Sequence, residues 1–161
     1  MDGCEIYQIK PLTRFEISYK QLIKNHYRKD KRARDAFEEL LDSYISQLQE
    51  TPSSDDISEN EGFPKGEYSE DFEFRKIRFN PPGLRGQAKY GRLMYVVYKP
   101  KCLVYLVWIY THAEFGGKNK TRPPSDDLKQ EFRLIKQDIE EMNQKEEVKQ
   151  DTESESEEKQ E

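Results

Sequence analysis

Residues 92–111 read Arg92-Leu93-Met94-Tyr95-Val96-Val97-Tyr98, then Lys99-Pro100-Lys101-Cys102, then Leu103-Val104-Tyr105-Leu106-Val107-Trp108-Ile109-Tyr110-Thr111. The first and third runs are rich in β-branched and aromatic residues, which favour strands. Pro100 and Lys101 between them are typical of a turn. Because both runs are almost continuously apolar, they predict two central strands that are covered on at least one face.

A more polar strand is predicted directly before these two. Its apolar residues recur at close to every second position: Phe72, Phe74, Ile77 and Phe79. A period of two is the signature of a strand with one buried face. The charged pair Arg75-Lys76 lies inside this strand, and Pro81-Pro82-Gly83 ends it. The three strands together predict an antiparallel meander.

Helices are predicted on both sides of the meander in the chain. A short strand over residues 6–9 ends at Pro11, and apolar residues then recur at helical spacing over residues 13–27 and 30–49. A further helix is predicted from Asp126 to Met142, with Ser125 as its N-cap. This order predicts an α+β domain whose helices pack on one face of a largely antiparallel sheet.

Charge is unevenly distributed along the chain. Residues 74–136 hold fourteen Lys/Arg and four Asp/Glu, a net charge of +10, although the whole chain has a formal charge of −5. A local field of this sign attracts phosphate groups. The acidic residues are concentrated in residues 50–73 and 137–161.

The two acidic segments define the predicted domain organisation. Residues 1–142 are expected to form one domain, interrupted by a long acidic loop at residues 51–70. Residues 143–161 are almost without apolar side chains and are expected to form a disordered tail. Two roles are open for that tail: it keeps the protein soluble, or its acids fold back over the basic segment and compete with nucleic acid.

The composition also bears on compartment and cofactors. The two cysteines, Cys4 and Cys102, form no metal-binding pattern and no disulfide framework, and Cys102 is expected to be a small buried hydrophobic residue. No apolar run follows Met1 as a signal peptide would, and residues 103–110 are too few to span a bilayer. We therefore expect a cytoplasmic protein without a metal, a cofactor or a membrane contact.

Three short motifs together resemble the core of RelE/ParE-type toxins. They are Phe74-Arg75-Lys76-Ile77-Arg78-Phe79, Gly83-Leu84-Arg85-Gly86 and Arg92-Leu93-Met94-Tyr95. In that family a basic strand leads into a Leu-x-Gly turn, an Arg-Leu-x-Tyr strand follows, and an apolar strand then ends in a basic or histidine position, where this chain has His112. The resemblance covers roughly residues 5–115, including the first strand and the two helices.

The resemblance implies the toxin of a type II toxin–antitoxin pair. Its RelE branch is made of mRNA interferases, endoribonucleases that cut mRNA, usually on the ribosome, and its partner is an antitoxin protein. The residues that match catalytic positions are Lys76, Arg78, Arg92 and His112. The residues that we expect to assist nucleic-acid binding are Arg75, Arg85, Lys89, Tyr90 and Tyr110. The chain departs from the pattern because no tyrosine follows His112 closely and no carboxylate base stands at a recognisable position.

The chemistry of RNA cleavage explains this choice of residues. The 2′-OH attacks the neighbouring phosphate, so a base, a proton donor and cations that hold the phosphoryl oxygens are needed. Arg78 and Arg92 suit the phosphate because a guanidinium donates two parallel hydrogen bonds. His112 suits proton transfer, and cations around it favour its neutral form. Lys76 is a second candidate for proton exchange.

Two other functions remain open at this point. A ParE-like protein would bind a protein target such as DNA gyrase without nuclease chemistry. An interaction-only relative would keep the fold but neither activity. In both cases the basic strand residues would form a solvated or ion-paired face, which is the commoner role of such residues.

Overall fold

The structure is a computed structural model that describes residues 3–115 and 121–158, with side chains through residue 149. Its strands are β1 (Gln8–Pro11), β2 (Glu59–Asn60), β3 (Phe72–Phe79), β4 (Gly91–Tyr98) and β5 (Leu103–Thr111). Its helices are α1 (Thr13–His26), α2 (Lys31–Glu50) and α3 (Ser125–Glu158). Short 3₁₀ turns occupy Gly86–Lys89, Lys99–Lys101 and His112–Phe115. The α+β class predicted from the sequence is confirmed.

The five strands form one sheet in the order β1-β5-β4-β3-β2. The predicted meander is present, since β3 pairs antiparallel with β4 and β4 pairs antiparallel with β5. The first strand, β1, lies parallel to β5 at one edge of the sheet. The other edge is formed by the two-residue strand β2, which lies within the segment predicted to be a loop.

Helices cover both faces of this sheet, so the expectation of helices on one face is wrong. α1 and α2 bury one face with Phe15, Leu22, Phe37, Leu41 and Leu48. α3 buries the other face with Leu128, Phe132, Ile135 and Ile139. The physical reason lies in β5, where all nine residues are buried. A strand that is apolar in both phases of its pleat needs a layer on each side.

The third helix is longer than the sequence predicts. Its backbone is helical to Glu158, whereas disorder is predicted from residue 143 onwards. Residues 143–149 are exposed, so burial does not hold this part of the helix. Glu, Lys and Gln are good helix formers, and a helix already nucleated against the sheet extends at low cost. Residues 159–161 of the predicted tail lie outside the described residues.

A disulfide joins Cys4 to Cys102, with a Cα–Cα distance of 5.7 Å. The expectation that Cys102 is only a buried hydrophobic residue and that no disulfide forms is therefore wrong. The parallel register of Gln8 with Leu103 explains the bond, because it brings the segment before β1 next to the β4–β5 turn. Ninety-eight residues separate the two cysteines, so local sequence carries no sign of their contact.

No helix among the described residues is long and apolar enough to cross a membrane.

Removing the disulfide should lower stability substantially. The two cysteines are 98 positions apart, and a disulfide that constrains the unfolded chain typically stabilises a fold by about 2–4 kcal/mol, with the larger effects at long loops. We expect Cys4→Ser to lower the free energy of unfolding in urea by about that amount. Dithiothreitol should lower the stability of the natural chain equally and leave that of the variant unchanged. Equal stability with and without reductant in the natural chain would contradict the role of this bond.

Candidate functional site

A row of polar side chains crosses the sheet near the ends of three strands. The register pairs Arg78 of β3 with Arg92 of β4, and Arg92 with Tyr110 of β5. Directly paired residues point to the same face of a sheet, so these three side chains share one face. It is the face that α3 covers, because Phe74 and Val96, which lie on it four residues from Arg78 and Arg92 along their strands, pack under that helix. Lys76 follows on the same face, one pleat from Arg78.

Close packing brings the ends of β3 and β4 together at this row. Gly91 stands opposite Phe79, and a Cβ at Gly91 would come within 2.6 Å of the Phe79 ring. Only glycine fits there without a shift of the aromatic ring. Arg92, the next residue, pairs with Arg78 in the register and is only 8% exposed.

Arg92 has no acidic partner among the described residues. Its Nη1 donates a hydrogen bond to the carbonyl oxygen of Gly91 over 2.7 Å. Its pKa is lowered by burial and by the nearby charge of Arg78. A buried guanidinium beside another cation is electrostatically unfavourable. The charge of Glu59 acts on Arg92 without an ion pair and offsets this only in part, so a bound anion would relieve the repulsion further.

His112 lies at the end of β5, within the electrostatic reach of the same cations. Its pKa is lowered by partial burial and by the charges of Arg92, Lys76 and Arg78. The neutral imidazole is therefore favoured, as the sequence predicts. Of the predicted catalytic residues, the structure thus brings all four together: Lys76, Arg78, Arg92 and His112.

An aromatic and a cationic group flank His112 from the β3–β4 connection. The Tyr90 ring lies 5.2 Å from the His112 ring at an interplanar angle of 31°. The backbone N–H of His112 donates to the Tyr90 carbonyl over 3.1 Å. Lys89 Nζ lies 5.1 Å from the centre of the Tyr90 ring. Lys89 and Tyr90, both predicted to assist nucleic-acid binding, therefore stand beside His112.

A carboxylate that sequence analysis missed holds the turn that carries His112. Glu114 accepts a hydrogen bond from the backbone N–H of Thr111 over 2.8 Å and another from the Thr111 hydroxyl. Its second oxygen lies 2.7 Å from Nε2 of His26, at the end of α1. His26 thus tethers this turn to the helix layer.

Two further carboxylates lie at the row of cations. Glu59 of β2 pairs with Arg78. Glu61 Oε2 lies 2.6 Å from Lys76 Nζ, and Glu61 Oε1 lies 3.1 Å from Arg122 Nη1. All three partners, Glu59, Glu61 and Arg122, were missed because they lie in segments without a clear period. The alternation of Glu59, Asn60 and Glu61 is compatible with a strand, but three residues are too few to predict one.

Arg75 is separated from these cations. It lies on the opposite face of β3, under α1 and α2, and is 2% exposed. Its guanidinium donates to Ser58 Oγ at 2.7 Å, to the Ser58 carbonyl at 3.0 Å and to Asp55 Oδ1 at 2.7 Å. The strand pleat is the reason, since neighbours in a strand point to opposite faces. These bonds hold residues 55–60 to the sheet, and Glu73 of β3 accepts a further hydrogen bond from Arg75 over 3.3 Å.

Tyr110 and Arg85, the last two residues predicted to assist nucleic-acid binding, differ in burial. Tyr110 is buried, its ring lies edge-on to Phe115 at 5.1 Å, and burial followed by the charge of Glu61 raises the pKa of its phenol. Arg85 is exposed in the β3–β4 connection. Within the part of the chain that the structure describes, no ion pair or hydrogen bond connects Arg85 to Lys76, Arg78, Arg92 or His112.

Within the described residues, no group of three His, Cys, Asp or Glu side chains is arranged to hold a metal ion. Comparisons with protein-family models, curated proteins and solved structures found no match for this chain.

The surroundings of His112 predict how its titration responds to mutation. Removing one cation with Arg92→Leu should raise the pKa of His112 towards its ordinary value, because a positive neighbour disfavours the imidazolium. The chain has two histidines, so NMR can assign the His112 signals and follow their titration. Arg34→Leu, on the outer surface of α2, should leave the His112 titration unchanged. An unchanged His112 pKa in Arg92→Leu would show that the two side chains are not neighbours.

The same lowered pKa has a consequence for stability. The unfolded chain binds the His112 proton more readily than the folded chain, so the contribution of His112 to folding falls as the pH drops below about 6.5. We expect His112→Gln to reduce the loss of stability between neutral and mildly acidic pH. Chemical unfolding curves at several pH values would measure it, and an unchanged pH dependence would contradict the prediction.

Proposed function

We propose that this chain is the toxin of a type II toxin–antitoxin pair and acts as a metal-independent endoribonuclease of the RelE type on mRNA. The observation that carries the proposal is the cluster of Arg78, Arg92 and Lys76 on one face of the sheet with His112 within reach of their charges, where Arg92 makes no ion pair among the described residues. Cations gathered around a neutral imidazole suit the binding and cleavage of a phosphodiester.

The topology supports the same proposal. A first strand, a pair of helices and then an antiparallel meander follow one another, as in the RelE/ParE order, and the first strand returns to the sheet beside the last. Helix α3 and residues 51–70, which contain β2, are additions to that order. Fold alone does not determine activity, so the proposal depends on the cluster of side chains.

The proposed roles follow from the charges at the site. Arg78 and Arg92 hold the phosphoryl oxygens and stabilise the charge that develops on them. Neutral His112 takes the proton of the 2′-OH, whose oxygen then bonds to phosphorus. The bond from phosphorus to the 5′-oxygen breaks, leaving a 2′,3′-cyclic phosphate, and Lys76 is the candidate donor of the proton that the 5′-oxygen takes up. Removing one preorganised cation from such a site typically costs about 10²–10³ in rate.

Recognition of RNA would involve the residues beside His112. Tyr90 is partly exposed and lies against His112 and Lys89. An unpaired base stacked on an aromatic ring is the usual mode of binding single-stranded RNA. From the family resemblance we also propose that cleavage takes place on the ribosome and that an antitoxin covers the cluster.

One observation favours a second function. Arg78 and Lys76 are both paired with glutamates in the structure. Cations committed to internal ion pairs are expected of an interaction-only relative, or of a ParE-like protein binder, in which they stabilise the fold. This alternative assigns no proton transfer to His112.

Induced expression in a bacterium distinguishes these functions. We expect the natural chain to arrest growth and to generate new mRNA 5′ ends within reading frames. Arg92→Ala/His112→Ala should abolish both effects, because it removes a phosphate ligand and the proton acceptor. Arg34→Ala, a matched loss of one exposed arginine whose partner is Glu38, should behave as the natural chain.

The other outcomes are equally informative. Growth arrest that persists in the double variant without new mRNA ends would favour a ParE-like binder. Soluble protein that neither arrests growth nor cuts mRNA would favour the interaction-only relative.

A further inference from the structure

We propose that residues 55–61, which we call the acidic segment, are an intramolecular competitor for RNA phosphates: Glu59 and Glu61 occupy Arg78 and Lys76 and must withdraw before RNA can contact those cations. The inference rests on the proposed function and adds a means of regulation to the same site. Its basis is the way in which the sheet itself aims the two carboxylates at the cluster.

The backbone of the acidic segment is fastened to the sheet. β2 pairs with β3 in the register Glu59 with Lys76 and Asn60 with Arg75. Buried Arg75 donates to Ser58, Asp55 and, over 3.0 Å, to Asn60 Oδ1. These contacts all lie on the α1/α2 face of the sheet, so the segment is held in position from the side opposite to the cluster.

The strand pleat then directs the glutamates. Asn60 points to the face of Arg75, so Glu59 and Glu61, its neighbours on each side, point to the face of Arg78 and Lys76. Glu59 pairs with Arg78, and Glu61 lies 2.6 Å from Lys76. A carboxylate offers the same kind of oxygen acceptors to a cation as a phosphate does. The acidic segment therefore presents two negative groups where the backbone of a nucleic acid would place its own.

The two ion pairs differ in accessibility. The side chains of Arg78 and Glu59 are 59% and 48% exposed, so this pair is weak and exchanges readily with competing anions. The side chains of Lys76 and Glu61 are only 15% and 10% exposed. Glu61 is also bound by Arg122, whose Nη2 donates to the Gly62 carbonyl over 3.0 Å. An incoming phosphate would displace Glu59 first and Glu61 with more difficulty.

Arg92 is the second cation that an incoming phosphate meets, because it is only 8% exposed whereas the Arg78 side chain is 59% exposed. It belongs to the same row as Arg78 but has no carboxylate partner among the described residues. A phosphate that takes the place of Glu59 on Arg78 can also bind the Arg92 guanidinium, and its charge then repels both glutamates. RNA binding and withdrawal of the Glu59 and Glu61 side chains are thus coupled by electrostatics.

The described part of α3 makes no comparable contact with the cluster. Glu146, near the last described side chain, pairs with Lys101 in the β4–β5 turn, over 2.8 Å. That turn lies at the opposite end of β4 from Arg92. Among residues with described side chains, the acids that meet the cluster are those of the acidic segment rather than those predicted for the tail.

The test is the affinity of the full chain for a short fluorescent single-stranded RNA, fully 2′-O-methylated so that it cannot be cleaved. We expect Glu59→Gln/Glu61→Gln to bind this RNA at least about tenfold more tightly than the natural chain, because two cations lose their internal partners. The slope of log affinity against log salt should also steepen by about 1.4, since two more cations contact phosphates of a single strand.

The matched control is Glu70→Gln/Asp71→Asn, which removes the same charge from two exposed residues of the connection between β2 and β3. This control should leave the slope of log affinity against log salt unchanged and should not tighten RNA binding as much as Glu59→Gln/Glu61→Gln does. Glu59→Gln alone removes only the exposed pair and should keep the fold. It should give a smaller gain in affinity, and thermal unfolding would show that all the variants remain folded.

The outcomes separate this inference from the proposed function. Equal affinity and slope in the natural chain and the Glu59→Gln/Glu61→Gln variant would overturn the inference, even if the natural chain cuts mRNA. Tighter RNA binding by that variant, without growth arrest or new mRNA ends when the natural chain is expressed, would support the inference and reject the nuclease. Absence of RNA binding by every variant would overturn the inference, whereas growth arrest and new mRNA ends on induced expression decide the nuclease separately.

Discussion

Burial of β5 on both faces and at both edges is the constraint on which the rest of the structure depends. All nine of its residues are buried, and it pairs with β1 on one side and β4 on the other. Two helix layers are required to cover it. Its parallel pairing with β1 joins Cys4 to Cys102, and its last residues carry Tyr110 and the turn of His112.

The pleat of β3 has a comparable influence on charge. Its consecutive cations go to opposite faces, so Arg75 enters the interior under α1 and α2, while Lys76 and Arg78 join Arg92. A buried arginine is tolerated only when its hydrogen bonds are satisfied, and here residues 55–60 supply the partners. The same contacts that satisfy Arg75 bring Glu59 and Glu61 to the other cations. Stability and the electrostatics of the candidate site are therefore linked through one strand.

The positive charge of the candidate site is consequently neutralised only in part. Two of its four catalytic candidates, Lys76 and Arg78, have acidic partners, whereas Arg92 and His112 have none among the described residues. A phosphodiester would compete with carboxylates for the first two but not for the other two. The chemistry proposed for the site and its proposed restraint by the acidic segment thus draw on the same few ion pairs.

Local pattern in the sequence was enough for β1, the three strands of the meander, α1, α2 and the start of α3, and for the positive charge of the predicted site residues. The period-two run of β3, the continuous apolar runs of β4 and β5 and the helical spacing of α1 and α2 each involve residues close in the chain, so their periods are visible without a structure. The cations that meet at the cluster could also be chosen, because strands joined in a meander bring matching positions together.

Tertiary structure alone decided the contacts between distant segments. The disulfide depends on the parallel register of β1 with β5, and the cover of both faces depends on where α3 docks. The meeting of Glu59 and Glu61 with Lys76 and Arg78 depends on a strand of two residues that carries no period. The physical reason is that these contacts are selected by the free energy of packing the whole domain, which short-range propensity does not encode.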